Sequence, residues 1–280
     1  MIIVVALGSA LLYAVASVLQ HHTARAQPHS SSMRVGLLVG LAARPLWVVG
    51  VVSDAAAYVL QFIALGHGSL VLVQPLLVSG LLFALPVGGA LSHRRLTRLE
   101  WLGSAAVVIG LAGFLVVASP GPGHHPRAIT WVVTLVATLI PTAVLVLAAP
   151  AHQGAARATM LAAAAGVLYG LTAALTEVTA RLLQHGVIHL FTSWEPYALV
   201  ACGVTGLVVG QSAFQAGPLR LSLPMLTVID PVVSIVIGAL AFQEHIATSG
   251  GAPVLEAMGL IVMGIGTFLL ARSPLVVGAE

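Results

Sequence analysis

Three acidic residues stand inside long apolar stretches of the sequence, where a charge is energetically unfavourable. They are Asp54, Glu177 and Asp230. A charged side chain inside hydrocarbon costs at least about 2.5–3.5 kcal/mol on insertion scales, so each acid needs a structural or a functional reason. A desolvated carboxyl group takes up a proton readily, because burial raises its pKa. The acids are therefore candidates for contact with a substrate, a cation or a proton, and Asp54 and Asp230 are the preferred pair.

Each acid also has a purely structural interpretation. Asp230 precedes Pro231, and the residue before a proline avoids the helical region, so Asp230 can be the N-cap of a half-helix that restarts at Pro231. A helix broken at that depth would also expose backbone groups to a substrate or ion. Glu177 lies four residues before Arg181, the favourable order for a helical ion pair. For Asp54 the structural alternative is a hydrogen bond to a neighbouring helix.

Several uncharged polar residues are candidates for the lining of the same pathway. Gln61 lies two turns after Asp54 on the same helical face. Any one such residue more often joins two helices than forms a site, so the hypothesis depends on several of them converging. The candidates are Tyr13, Gln61, Gln74, Tyr169 and Gln211.

The composition identifies an integral membrane protein. Of the 280 residues, 59% are hydrophobic and only 7% are charged, whereas soluble domains carry roughly 25% charged residues. All 11 basic residues are arginines spread between apolar runs, so they act as topology signals and not as a nucleic-acid patch. The single cysteine, Cys202, excludes an intramolecular disulfide. The expected partners are the lipid bilayer and a small solute or ion, with no nucleic acid.

Apolar runs of about 20 residues predict nine membrane-spanning helices in an all-α protein. The short apolar segment 33–43 is interpreted as an interfacial lead-in, and residues 119–126 as a linker rich in proline and glycine. The predicted spans are 2–20, 45–65, 70–92, 101–119, 129–149, 159–182, 196–216, 219–242 and 255–272.

An internal repeat relates the first four spans to the last four. Residues 12–25 match residues 168–181, and residues 100–110 match residues 256–266 at the same offset. Paired spans are five crossings apart, an odd number, so they run in opposite directions. The sequence thus predicts an inverted 4+1+4 repeat, a common plan of secondary transporters. Residues 1–119 form the first repeat, 120–157 the linker and fifth span, and 158–280 the second repeat of one membrane domain.

The arginines predict the orientation of the chain. With nine spans, Arg127 and Arg181 fall on one side of the membrane and the other nine arginines on the opposite side, which also receives the C-terminus. Positive residues accumulate on the cytoplasmic side. We therefore expect a multi-pass protein of the plasma (inner) membrane, with its N-terminus outside and its C-terminus in the cytoplasm.

The short repeated elements resemble the drug/metabolite transporter superfamily. Gly-Ala-Leu recurs at 89–91 and 238–240, and each copy is followed by a short polar element, at 92–95 and 242–245. The resemblance covers nearly the whole chain and implies two inverted halves. It also implies alternating-access transport of a small metabolite or organic solute. The superfamily commonly has ten helices, one more than the sequence predicts here.

Within that superfamily, the nine-helix plan is similar to the magnesium transporters of the NIPA type. Residues 51–58 (VVSDAAAY) resemble their acid-containing second helix, and residues 72–76 (LVQPL) their third. This resemblance implies that Asp54 lies on a cation pathway and contacts magnesium. The asparagine usual after the acid of that family is Ala57 here.

We interpret the chain as a secondary transporter that works without a cofactor. The sequence carries no phosphate loop, zinc motif or nucleophile constellation, so we expect no enzymatic activity. Two alternatives stay open, a magnesium or other divalent-cation transporter and a non-transporting scaffold or subunit. A homodimer is possible in each case.

Overall fold

The computed structural model describes residues 1–25, 44–92, 96–117, 127–217, 219–244 and 252–273. This part of the chain is helical and contains no strand. A 3-10 turn, Ala149–Ala151, joins the sixth and seventh helices. The helices are α1 (Ile2–Arg25), α2 (Pro45–His67), α3 (Leu70–Val78), α4 (Gly80–Ser92), α5 (Arg98–Val117), α6 (Ala128–Ala148), α7 (Gly154–Gln184), α8 (Ile188–Thr192), α9 (Glu195–Ala216), α10 (Leu219–Leu240) and α11 (Ala252–Ala271).

Among the described residues, nine helical stretches are long and apolar enough to cross a membrane, which confirms that predicted number. The third stretch consists of α3 and α4 together. The sixth, α7, has 31 residues and is longer than expected, and the short α8 was not predicted. The segment 33–43, the linker 119–126 and the pair Arg94-Arg95 lie outside the described residues.

The predicted break at Asp230-Pro231 is wrong, because α10 runs without interruption from Leu219 to Leu240. Prolines are tolerated inside membrane helices when neighbouring groups compensate for the lost backbone bond. Here α7 supports α10 at that point, since a Cβ atom on Gly170 would lie 2.9 Å from the Asp230 carbonyl oxygen. The interruption occurs in the third span instead, at Ser79 between α3 and α4.

Glycines bring α5 and α11 into backbone contact. A Cβ atom on Gly266 would lie 2.6 Å from the carbonyl oxygen of Gly103, and one on Gly259 would lie 2.8 Å from that of Gly110. Such distances leave no room for a side chain, and small residues of this kind mark tight helix packing in membranes. The two glycines of α5 are therefore matched in reverse order by the two of α11.

The long helix α7 is the central element of the described bundle. It packs against α2, α6, α9 and α10, while α1 packs against α2, α3 and α4. Leu171 and Leu175 of α7 are fully buried together with Leu65 of α2 and Leu70 and Leu76 of α3. By contrast, Val116, Leu147 and Ile261 are largely exposed, which is typical of a surface that faces lipid.

Candidate functional site

A group of polar side chains meets near the middle of four helices, and we call it the central group. Tyr13 of α1 connects its members. The Tyr13 hydroxyl donates a 2.8 Å hydrogen bond to Gln61 Oε1 of α2. The same hydroxyl lies within electrostatic reach of Asp54 and Asp230. Asp230 also lies within electrostatic reach of Tyr169 on α7. The central group therefore consists of Tyr13, Asp54, Gln61, Tyr169 and Asp230.

One face of α2 presents the polar residues to α1. Ser9 of α1 donates a 2.7 Å hydrogen bond to the Ala57 carbonyl oxygen, one turn before the Tyr13–Gln61 bond. Asp54, Ala57 and Gln61 are spaced three and four residues apart, so they share one helical face. Asp54 is exposed even though it lies in the middle of a membrane-spanning helix. A carboxylate is unfavourable in lipid, and the Tyr13 hydroxyl lies within electrostatic reach of Asp54.

Asp230 is held by close packing between α10 and α7. A Cβ atom on Gly166 would lie 2.8 Å from Ile229, so the two helices touch at this level. The Ser234 hydroxyl donates to the Asp230 carbonyl oxygen at 2.9 Å and lies 3.4 Å from its Oδ1 atom. The Asp230 side chain remains half-buried.

The tyrosines of α1 and α7 are both partners of Asp230. Both are half-buried, and both interact electrostatically with that carboxylate. Tyr169 also packs over α9, where a Cβ atom on Gly206 would lie 3.1 Å from its ring. The missing side chains at Gly206 and Gly210 thus make room for the tyrosine beside Asp230.

The third predicted acid, Glu177, belongs to a different cluster nearer the end of α7. Its carboxylate forms the expected ion pair with Arg181 of the same helix. Glu244, four residues after the end of α10, lies beside it. Glu244 accepts hydrogen bonds from the backbone N–H groups of Leu70 at 2.8 Å and Val71 at 2.9 Å. We call Glu177, Arg181 and Glu244 the end cluster.

Burial raises the pKa of the Glu244 carboxyl, and this effect is opposed by the two backbone N–H groups and by Arg181. Both acids of the end cluster are buried, with 4% of Glu244 and 0% of Glu177 exposed. Two buried carboxyl groups thus share one arginine side chain in this cluster. Sequence reasoning did not select Glu244 as a site residue, although an acid directly after a membrane span is a usable signal.

The remaining predicted residues lie outside these two groups. Gln74 of α3 is buried, and its amide nitrogen has no hydrogen-bond partner among the described residues. Gln211 of α9 is exposed. No hydrogen bond in the described part of the chain joins either residue to Tyr13 or Asp230.

A separate cavity of about 330 Å³ lies between α6, α7 and α10. Its lining is apolar except for Thr130, Thr134 and Thr138 of α6. The hydroxyls of Thr134 and Thr138 each donate at 2.8 Å to a carbonyl oxygen of their own helix. None of the predicted site residues lines this cavity, so its chemistry differs from that of the central group.

Within the described residues, no three side chains of histidine, cysteine, aspartate or glutamate form a group that could hold a metal ion. Asp54 and Asp230 are instead two separate carboxylates that both interact electrostatically with the Tyr13 hydroxyl. This arrangement supplies negative charge and hydrogen-bonding groups without a closed ligand shell.

Comparison with known proteins finds one full-length relative. The chain is 31% identical over 270 residues to an uncharacterized protein of Corynebacterium glutamicum, an alignment that covers 96% of this chain and 93% of that protein. No protein-family profile and no solved structure matches the chain.

Proposed function

We propose that this chain, which belongs to the same family as the uncharacterized protein of Corynebacterium glutamicum, is a secondary transporter. It moves a small metabolite or organic solute across the membrane by alternating access. The observation that carries the proposal is the central group, in which polar side chains from α1, α2, α7 and α10 meet at mid-helix. Polar residues at that depth are expensive, and they typically mark a substrate or ion pathway.

Pairing between the two halves supports an inverted repeat as the machinery of transport. Tyr13 and Tyr169 are equivalent in the repeat, and both interact with Asp230. Gly103 is the counterpart of Gly259 in sequence, and Gly110 of Gly266. In space Gly103 lies against Gly266, and Gly110 lies against Gly259. A two-fold axis between the repeats requires this crossed pairing. In transporters of this plan, substrates bind near the midplane where the repeats meet, and rocking of the repeats opens alternate sides.

The proposed orientation follows the arginine distribution, with the N-terminus outside and the C-terminus in the cytoplasm. The end cluster, the start of α3 and the end of α10 then lie at the extracellular side. The drive for transport is an ion or substrate gradient, since the sequence contains no nucleotide-binding motif.

A divalent-cation transporter of the NIPA type is the second candidate. The specific observation in its favour is that Asp54 and Asp230 both act on the Tyr13 hydroxyl. Carboxylates attract a cation, and a hydrated magnesium ion needs only one or two of them. Magnesium is the transported substrate in this proposal.

The test is thermal stability of the purified protein with a panel of ligands: magnesium, amino acids, organic cations and nucleosides. A ligand that binds the folded state stabilises it, by about 2.7 kcal/mol at a concentration 100 times its Kd. A shift with an organic solute that Asp230→Asn removes supports the metabolite transporter. A shift with magnesium alone that Asp54→Asn removes supports the cation transporter. Glu195→Gln, which changes a buried acid outside the central group, should leave either shift intact.

A scaffold or subunit that transports nothing gives a different set of results. Such a protein needs no hydrated space, so cysteines placed at Ser53, next to Asp54, and at Thr227, one turn before Asp230, would stay unreactive toward a water-soluble maleimide. The background variant Cys202→Ala removes the native thiol from this assay. Absence of labelling at both positions, together with no stabilising ligand, would overturn the transporter proposal.

A further inference from the structure

The residues that follow α10 place the Glu244 side chain between α3, α7 and α10. Phe242 is buried and packs edge-on against Trp131 of α6, with ring centroids 5.9 Å apart. Trp131 in turn packs against Trp194 at 5.2 Å. Between Phe242 and Glu244, Gln243 adopts a left-handed backbone conformation with φ of 52°. A non-glycine residue in this region carries strain that the surrounding contacts must compensate.

Once inserted, Glu244 joins three helices. Its two oxygens accept the hydrogen bonds from Leu70 and Val71, so it caps the start of α3. These N–H groups have no partner within α3, and the N-terminus of a helix favours a negative charge. A Cβ atom on Gly238 would clash with the Glu244 carboxylate, so the carboxylate lies directly against α10. On the remaining side it meets Glu177 of α7.

The contact between the two carboxyl groups requires a proton. Both oxygens of Glu244 already accept hydrogen bonds from backbone donors. Arg181 pairs with Oε1 of Glu177, while Oε2 of Glu177 is buried and accepts no hydrogen bond among the described residues. The Leu70 N–H also lies near the Glu177 carboxyl, but it already donates to Glu244. Two carboxylates repel each other, but a protonated carboxyl can donate a hydrogen bond to a carboxylate. Oε2 of Glu177 is therefore the natural position for the proton.

The charges around the pair lead to the same conclusion. From α7 the pair meets Arg181, and from α3 it meets the backbone N–H groups of Leu70 and Val71. His67, at the nearby end of α2, is exposed and its ring nitrogen contacts the Ile63 carbonyl oxygen of its own helix. One arginine balances one carboxylate, so a second buried carboxylate would be left uncompensated. A proton removes that charge.

From this geometry we infer that Glu177 and Glu244 form a proton-binding site that fastens α10 to α7 and α3 at one end of the bundle. The inference rests on the proposed function in two respects: the proton serves as the coupling ion, and this end of the bundle opens to the extracellular side. Loss of the proton from Glu177 to water leaves two carboxylates beside one arginine. Their repulsion releases the end of α10, and the proposed extracellular side opens.

Infrared difference spectroscopy of the full-length protein in lipid tests this site without any substrate. Spectra at acid and alkaline pH report the C=O stretch of a buried protonated carboxyl, which shifts in D2O. The background Asp54→Asn/Asp230→Asn removes the two acids of the central group. In that background we expect a titrating carboxyl band that disappears with Glu177→Gln and shifts with Glu244→Gln. Glu195→Gln, a change at another buried glutamate, should leave the band unchanged.

The site is overturned if neither Glu177→Gln nor Glu244→Gln alters the band. Labelling the native chain with ¹³C-glutamate provides a measurement that needs no variant, because a glutamate band must move to lower frequency. If no protonated carboxyl band moves with this label, the proposal is contradicted even if the variants fail to fold. A protein that transports nothing can still show the band, whereas an active transporter can lack it. Failure of this inference and failure of the proposed function are therefore distinguishable.

Discussion

The Tyr13 hydroxyl donates to Gln61 Oε1 at 2.8 Å and links the midpoint of α1 to α2 beside Asp54. This bond holds Tyr13 where it interacts with Asp54 and Asp230 at once. Tyr13→Phe removes the donor, and we expect a loss of about 1 kcal/mol of stability. Because the hydroxyl also faces the proposed substrate space, transport should fall much further than this loss explains.

Thermal unfolding in detergent and flux into proteoliposomes measure the two effects of Tyr13→Phe separately. The matched control is Tyr197→Phe, since the Tyr197 hydroxyl donates to a carbonyl oxygen at an exposed position. Unchanged flux in Tyr13→Phe would remove this tyrosine from the pathway.

Replacement of either central acid by its amide should abolish transport and leave the protein folded. Asp54→Asn and Asp230→Asn keep the size of the side chain but remove the negative charge. Asp54 is exposed and Asp230 half-buried, so neither amide creates a new unpaired group deep in the core. Flux of the ligand identified by thermal shift measures transport. Elution volume in size-exclusion chromatography shows whether each variant is folded. Normal flux in both variants would contradict the proposed mechanism.

The contact between α5 and α11 should tolerate no added methyl group. A Cβ atom on Gly110 would lie 2.5 Å from the Gly259 carbonyl oxygen, so Gly110→Ala must push the helices apart. Overpacking of this kind costs about 1–3 kcal/mol. Gly113→Ala, on the same helix, meets nothing within 4 Å and should be neutral or slightly stabilising, as expected for alanine in place of helical glycine. Equal melting temperatures of the two variants would show that the helices do not touch there.

The left-handed conformation at Gln243 should be relieved by glycine. With φ at 52°, a residue with a Cβ atom loses roughly 1–2 kcal/mol relative to its preferred conformation. Gln243→Gly should therefore raise the melting temperature, by less than the full relief of this cost because glycine has more freedom in the unfolded chain. Gln243→Val should lower it, since a branched side chain is least compatible with positive φ. The difference between glycine and valine is the decisive measurement, and a valine variant as stable as the glycine variant would contradict the assigned backbone.

The pH dependence of stability should carry the signature of Glu244. Burial raises the pKa of this carboxyl above its value in the unfolded chain. Between those two values the folded protein binds more protons than the unfolded one, so the free energy of unfolding decreases as the pH rises. Glu244→Gln should flatten this part of the profile, measured as melting temperature against pH. A profile that is equally steep in the variant would assign the slope to other groups.

The coarse architecture could be predicted from the sequence, because span length and hydropathy are local properties. The Glu177–Arg181 pair was predicted for the same reason, since its two residues lie one turn apart. The break at Pro231 was predicted wrongly because its outcome depends on support from Gly170 of another helix. Glu244 was missed because its hydrogen-bond partners, Leu70 and Val71, are 174 and 173 residues away. No local pattern reports such a contact.

The glycine contact between α5 and α11 also has a consequence for biogenesis. The ribosome makes α5 long before α11, so the glycine face of α5 enters the membrane without its matching surface. Lipid tails must occupy that face until Gly259 and Gly266 of α11 have been inserted. Docking of α11 is thus a late assembly step, and a nascent chain that stalls before it would present an uncovered α5 to membrane quality control.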